Sequence, residues 1–109
     1  MMFFANTPEP PYYACIFTSN RSEGDAAGYD STADFMVELA SQQEDFLGVE
    51  SVRDQNGSGI TVSYWKSQDS IKRWKENALH KKAQEKGMKD WYSSYSVRIC
   101  KVEREYRNK

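Results

Sequence analysis

The segment from Tyr12 to Ser19 constrains the fold most, because both of its alternating sets of side chains are largely apolar. The two sets are Tyr12, Ala14 and Ile16 on one side and Tyr13, Cys15 and Phe17 on the other. Aromatic and β-branched residues in such a run predict a β-strand. Successive side chains of a strand point to opposite faces of its sheet, so this strand must be covered on both faces.

Five further elements follow this first strand. Periodic apolar positions and turn residues predict a helix over about Tyr29 to Gln43, a strand over Phe46 to Arg53, a strand over Ile60 to Trp65, a helix from Ser67 to about Gly87, and a long strand from Trp91 to about Tyr106. The Asn56-Gly57 step between the second and third strands favours a tight hairpin.

The order β-α-β-β-α-β predicts an α+β fold, the ferredoxin-like sandwich, in which two helices cover one face of a four-stranded antiparallel sheet. Two helices leave the other face open, although the first and last strands are apolar on both sides. A second copy of the same sheet is the simplest cover, so the sequence predicts a homodimer that forms a dimeric α+β barrel.

Length and charge limit the chain to one domain and exclude several classes of function. The 109 residues carry a net charge of −1, which argues against a nucleic-acid partner, and no segment is long and apolar enough to span a membrane. We expect a flexible tail over residues 1–11, a single domain over residues 12–106 and a short C-terminal tail over residues 107–109. We also expect a cytoplasmic protein.

The metal-binding residue types are few. Cys15 and Cys100 lie in apolar strands far apart in the sequence, and His80 is the only histidine. We expect two buried, reduced thiols and no metal site, since a metal needs several converging ligands.

One stretch of the sequence resembles the antibiotic biosynthesis monooxygenase family. The matching residues are Tyr64-Trp65-Lys66-Ser67, Ile71, Trp74, His80, Ala83, Gln84, Gly87 and Trp91-Tyr92. The resemblance extends over about residues 12–106 and is most specific between Trp65 and Trp74. It implies a dimeric ferredoxin-like barrel and, for some members, oxygenation of polycyclic phenols without a cofactor.

Another branch of that family degrades haem with a strand Asn, a helix Trp and an axial His ten residues after that Trp. Trp74 matches the Trp, but the residue ten positions later is Gln84, and His80 follows Trp74 by only six. The departure disfavours haem as a cofactor, and we expect none.

The candidate site is an apolar pocket between the helices and the sheet. Trp74 and His80 are the candidate catalytic residues, for lining and proton transfer. The candidate substrate-binding residues are Tyr13, Phe17, Tyr64, Trp65, Trp91, Tyr95 and Arg98. Most of these are equally compatible with an aromatic core, and Arg98 with a salt bridge between subunits. A pocket of this kind fits a small aromatic, phenolic ligand.

Two functions therefore stay open at this point. The first is a monooxygenase-like enzyme that acts on a phenolic compound without a cofactor. The second is a ligand-binding or stress-related dimer that keeps the fold and has lost the chemistry.

Overall fold

The structure of the chain is a computed structural model that describes residues 3–21, 38–84 and 92–108. At residues 21, 78–84 and 92–94 it describes the backbone without the side chains. Most of the first predicted helix, the predicted helix end at Gly87, and Trp91 therefore lie outside the described residues.

The strands form one antiparallel sheet in the order β2-β3-β1-β4. The strands are β1 (Tyr12–Arg21), β2 (Phe46–Arg53), β3 (Ser58–Trp65) and β4 (Tyr92–Val102). Residues 38–41 are the described part of the first helix, α1, and the second helix, α2, spans Gln68–Gln84. This arrangement confirms the ferredoxin-like α+β fold.

Sequence alternation decides which side chains face the helices. On that side, called the helix face below, Cys15 of β1 and Trp65 of β3 pack with Ala40 and Ile71 into the core. The other side, called the open face below, carries the alternate positions. Tyr12 and Ala14 are 4% and 5% exposed there, so β1 is covered on both sides at this end.

The start of α2 follows from its cap residue. The Ser67 hydroxyl accepts a hydrogen bond from the Ser70 backbone N–H at 3.2 Å, and the Ser70 hydroxyl donates back to the Ser67 carbonyl at 2.9 Å. The first of these bonds satisfies one of the N–H groups that the start of a helix leaves unpaired. Asp69 adds a negative charge in the first turn, near the positive end of the helix dipole.

Gly57 turns the chain between β2 and β3. Its φ of 91° lies in the left-handed region that glycine adopts without strain. One Asp54 carboxylate oxygen accepts hydrogen bonds from the N–H groups of Asn56 and Ser58, both at 2.9 Å, and so holds the loop. The predicted hairpin is therefore confirmed.

Two sequence predictions need correction. Cys15 is buried as expected, but Cys100 is exposed, because it lies on the open face of the edge strand β4. The last strand ends at Val102 rather than near Tyr106. Beyond Val102 the side chains of Glu105 and Arg107 bond to the N-terminal segment.

Candidate functional site

The helix face carries a group of packed aromatic rings, called the aromatic cluster below: Tyr13, Phe46, Trp65 and Trp74. The rings of Trp65 and Trp74 lie 5.1 Å apart between centroids, and Phe46 meets Trp65 edge-on at 5.4 Å. Trp65 is completely buried. The cluster joins β1, β2 and β3 to α2, so four elements fix the positions of its rings.

The two indole N–H groups of this cluster differ in their partners. Trp65 Nε1 donates to the Ser63 hydroxyl at 2.8 Å. Trp74 Nε1 is also buried, yet it has no hydrogen-bond acceptor among the described residues. Leaving a buried donor unpaired costs about 1–3 kcal/mol. Such a donor is therefore the feature of this site that a ligand oxygen would satisfy.

The thiol of Cys15 lies beside the aromatic cluster on β1. Burial raises the pKa of this thiol, an effect that Lys75 and the Ser63 hydroxyl only partly offset. The thiol therefore stays protonated near neutral pH and contributes to packing rather than to nucleophilic chemistry.

The structure separates the predicted site residues into two groups. Tyr13, Trp65 and Trp74 come together in the aromatic cluster. Phe17 and Tyr95 lie further along the helix face, as a ring pair with centroids 5.6 Å apart.

Tyr64 and Arg98 lie on the open face, on the other side of the sheet from Trp74. Tyr64 neighbours Trp65 in the strand and so points the opposite way, and Arg98 pairs in register with Ile16. The prediction that both line the same pocket as Trp74 is wrong. The alternation along β3 contained this answer, because Trp65 and Tyr64 cannot share a face.

His80 belongs to α2, but its side chain lies outside the described residues, as does Trp91. Their roles stay predictions from the sequence.

Two members of the site, Phe46 and Ser63, were not predicted from the sequence. Phe46 was assigned only to a strand, although its register with Trp65 brings both into the cluster. Ser63 gave no signal beyond sharing a face with Trp65, and it proves to be the acceptor for that indole.

The open face carries two tyrosine–carboxylate pairs instead. The Tyr64 hydroxyl donates to Glu50 at 2.6 Å, and the Tyr12 hydroxyl donates to Glu105 at 2.5 Å. The two rings meet edge-on with centroids 5.7 Å apart. Burial and then the bond to the neighbouring carboxylate raise the pKa of each phenol above its usual value.

These raised pKa values predict that the protein loses stability in alkaline solution. An unfolded tyrosine ionises around pH 10, whereas the raised pKa values of folded Tyr12 and Tyr64 move their ionisation to higher pH. The folded state then binds more protons, so the free energy of unfolding falls as pH rises. Urea titrations between pH 9 and pH 11 should show a shallower fall for Tyr64→Phe than for the wild type.

The matched control is Tyr106→Phe, since Tyr106 is 84% exposed and lies outside the network. It should keep the wild-type slope. Equal slopes for Tyr64→Phe and the wild type would contradict the raised pKa of Tyr64, to which burial and then the Glu50 bond contribute.

The described residues form neither a metal site nor a membrane-spanning helix. No group of three His, Cys, Asp or Glu side chains in this part of the chain could hold a metal ion. None of its helices has the length and apolar character to cross a membrane.

With this fold and site in place, comparison with known proteins identifies the class. The sequence model of the antibiotic biosynthesis monooxygenase family matches residues 13–86, and the chain belongs to that family. Members of the family are typically dimeric.

One relative is similar to this chain in sequence, and two solved structures are similar to it in fold. The uncharacterised protein YqjZ of Bacillus subtilis is 56% identical over 105 residues, which cover 96% of this chain and 91% of the relative. The structure of SnoaB, a cofactor-independent oxygenase from Streptomyces nogalater, matches 90% of this chain and 98% of its own with a TM-score of 0.69 at 11% identity. PA3566 from Pseudomonas aeruginosa matches 91% and 99% with a TM-score of 0.67 at 15% identity. The two structures show the same fold.

Proposed function

We propose that the chain forms a homodimer that binds a small phenolic compound against the aromatic cluster and oxygenates it without a metal or flavin. The observation that carries the proposal is the buried Trp74 Nε1, which has no acceptor within the part of the chain that the structure describes. An apolar site with one or two placed polar groups is the usual design of a small-molecule pocket. Aromatic walls suit a flat ring, and the unpaired indole N–H suits a phenol or carbonyl oxygen.

The chemistry proposed for this site needs electrons only from the substrate. A deprotonated phenol gives one electron to dioxygen, and the resulting substrate radical and superoxide combine at a ring carbon. In the keto tautomer of the phenol this ring carbon is a CH₂ group. When the peroxide formed there loses water, the CH₂ group and O₂ have been converted to C=O and H₂O. The fixed rings of the cluster would position the substrate for this reaction and exclude water. His80 is the proton acceptor predicted from the sequence.

Family membership and the fold shared with a cofactor-independent oxygenase support the proposal. The test is oxygen uptake together with quenching of tryptophan fluorescence by a panel of naphthols and polyphenols. Binding with oxygen uptake supports the enzyme, and the absence of binding to every member of the panel contradicts it.

A second candidate is a dimer that binds the same ligand without turning it over. The side chains described around Trp74 favour it, since no His, Asp or Glu is among the described members of the cluster, and the pKa of the neighbouring Cys15 thiol is raised. Binding without oxygen uptake would support this function over the first.

Replacing Trp74 with phenylalanine isolates the contribution of the unpaired N–H. We expect affinity for 1-naphthol to fall roughly tenfold, because one hydrogen bond is worth about 1 kcal/mol or slightly more. Affinity for naphthalene, which has no oxygen, should stay within about twofold. Fluorescence titration of both proteins with both compounds gives the comparison.

Trp65→Phe is the matched control, since the N–H of Trp65 already bonds to Ser63. It should weaken both compounds alike. An equal loss for naphthol and naphthalene in Trp74→Phe would mean that the N–H does not meet the ligand oxygen.

A further inference from the structure

The open face of the sheet carries a ridge where the two chain ends meet. The ridge, called the terminal clasp below, consists of residues 3–7 together with Glu105 and Arg107. The Ala5 N–H donates to the Glu50 carboxylate at 2.9 Å, and the Ala5 carbonyl accepts from Arg107 Nη2 at 2.8 Å. Arg107 also donates to the Thr7 hydroxyl at 3.0 Å. These bonds hold both chain ends against the sheet.

Gly48 makes room for this clasp. A Cβ atom at Gly48 would lie 2.8 Å from the Cβ of Ala5, which is closer than two non-bonded carbon atoms normally approach. The sheet therefore accepts the N-terminal segment at one place, above Gly48 on β2, and Ala5 is 8% exposed there.

Two large aromatic side chains precede this anchor point. Phe3 and Phe4 pack edge-on with ring centroids 5.9 Å apart, yet they are 58% and 65% exposed. The anchored Ala5 fixes where the pair emerges from the sheet. An exposed aromatic pair at a fixed position is typical of a contact surface rather than of a free tail.

The other end of the same strands carries a groove of about 630 Å³. Val52 and Ile60 are apolar residues of its lining and pair in register across β2 and β3. They are 63% and 44% exposed. The rest of the lining is mainly polar: Thr18, Ser19, Asn20, Arg53, Asp54, Ser58, Gly59, Tyr95 and Ser96.

The groove lies at the end of the strands and is lined from both sides of the sheet, but its apolar residues Val52 and Ile60 lie on the open face, as the clasp does. Gly48 under the clasp and Val52 in the groove belong to the same strand and point to the same side, four residues apart. At about 3.3 Å per residue the two positions are roughly 13 Å apart. A ridge and a groove on one face are self-complementary when a two-fold axis exchanges them.

We propose that the Phe3–Phe4 pair of one copy occupies the Val52–Ile60 groove of a second copy. In this dimer the two open faces pack against each other. The two-fold axis lies between the two sheets and is perpendicular to the strands. It therefore places the clasp end of each sheet over the groove end of the other. This inference rests on the proposed homodimer and specifies its geometry. Each dimer then contains the aromatic contact twice, and each contact covers four side chains that the single chain leaves exposed.

Cross-linking between two different single-cysteine positions tests this geometry. Phe4→Cys and Val52→Cys are prepared separately, each with Cys100→Ser, so that the remaining native thiol is the buried Cys15. One protein is labelled with ¹⁵N, the two are mixed, and a short bis-maleimide linker is added. Because both positions are largely exposed, neither substitution should affect folding.

We expect mass spectrometry to show linked dimers between the labelled and unlabelled proteins in the mixture, several times more than in either protein alone. A cysteine at the exposed position Lys72, on α2, serves as the control and should not link to Val52→Cys. Links within Phe4→Cys alone would place clasp over clasp and overturn the inference, as would a dimer without any links. Sedimentation as a monomer at all concentrations would instead overturn the proposed homodimer itself.

Discussion

Trp65→Ala is expected to lower the free energy of unfolding by roughly 3–5 kcal/mol, the range for truncating a large buried aromatic side chain. Trp65 is completely buried, and its ring contacts both Phe46 and Trp74. Alanine would remove these contacts and leave a cavity at the place where β3, β2 and α2 meet. Since small domains are stable by about 5–15 kcal/mol, the loss is a large part of the total.

Urea titration followed by far-ultraviolet circular dichroism measures this loss without relying on tryptophan fluorescence. Trp65→Phe should cost less than the alanine variant, because it keeps a ring in the cavity while removing the N–H that bonds to Ser63. Val52→Ala, at a position 63% exposed, should stay within about 0.5 kcal/mol of the wild type in the single chain. A loss below about 1 kcal/mol for Trp65→Ala would show that the cluster does not form the core.

The sequence was sufficient to predict the strands and their order. Hydrophobic alternation located β2 at Phe46–Arg53, and the Asn56-Gly57 step placed the hairpin. These signals are local, since each depends on residues within about ten positions. The element order that they give, β-α-β-β-α-β, matches that of the ferredoxin-like fold.

The site was predicted only in part, because its geometry depends on contacts between distant elements. Trp65 and Trp74 were both assigned to the core or pocket lining from the strand and helix patterns, and their rings lie 5.1 Å apart at an interplanar angle of 33°. Tyr64 was selected for its residue type, although its position beside Trp65 places it on the other face. Residue type indicates which reactions a side chain can take part in, whereas the register of the strand determines which face of the sheet the side chain occupies.

The role of the chain ends could not be predicted from sequence patterns. Three prolines near residue 10 indicate an irregular segment, but they do not reveal that Ala5 meets Glu50 or that Arg107 bonds to Ala5. These contacts join positions 45 and 102 residues apart. Only folding brings them together, and the boundary of the domain at residue 12 stays a prediction.

Ile60→Asp is expected to dissociate the proposed dimer, raising its dissociation constant by roughly 100-fold or more, because a buried unpaired carboxylate costs several kcal/mol. Ile60 lies on the open face in the groove, and a two-fold interface contains every substitution twice. Ile60 is 44% exposed in the single chain, so the monomer should still fold. Sedimentation equilibrium over a range of concentrations measures the dissociation constant.

The chain provides a closely matched control in Ile99, which is the same residue type, 41% exposed, and in the same sheet. Ile99 pairs with Cys15 and therefore lies on the helix face. Ile99→Asp introduces the same charge at nearly the same exposure, so a general effect of the carboxylate on folding or solubility would appear in both variants. A dimer that survives Ile60→Asp but dissociates with Ile99→Asp would place the subunit contact on the helix face. If only the dimer of the Ile60→Asp variant dissociates, the contact between subunits lies on the open face, because the side of the sheet is the main difference between the two positions.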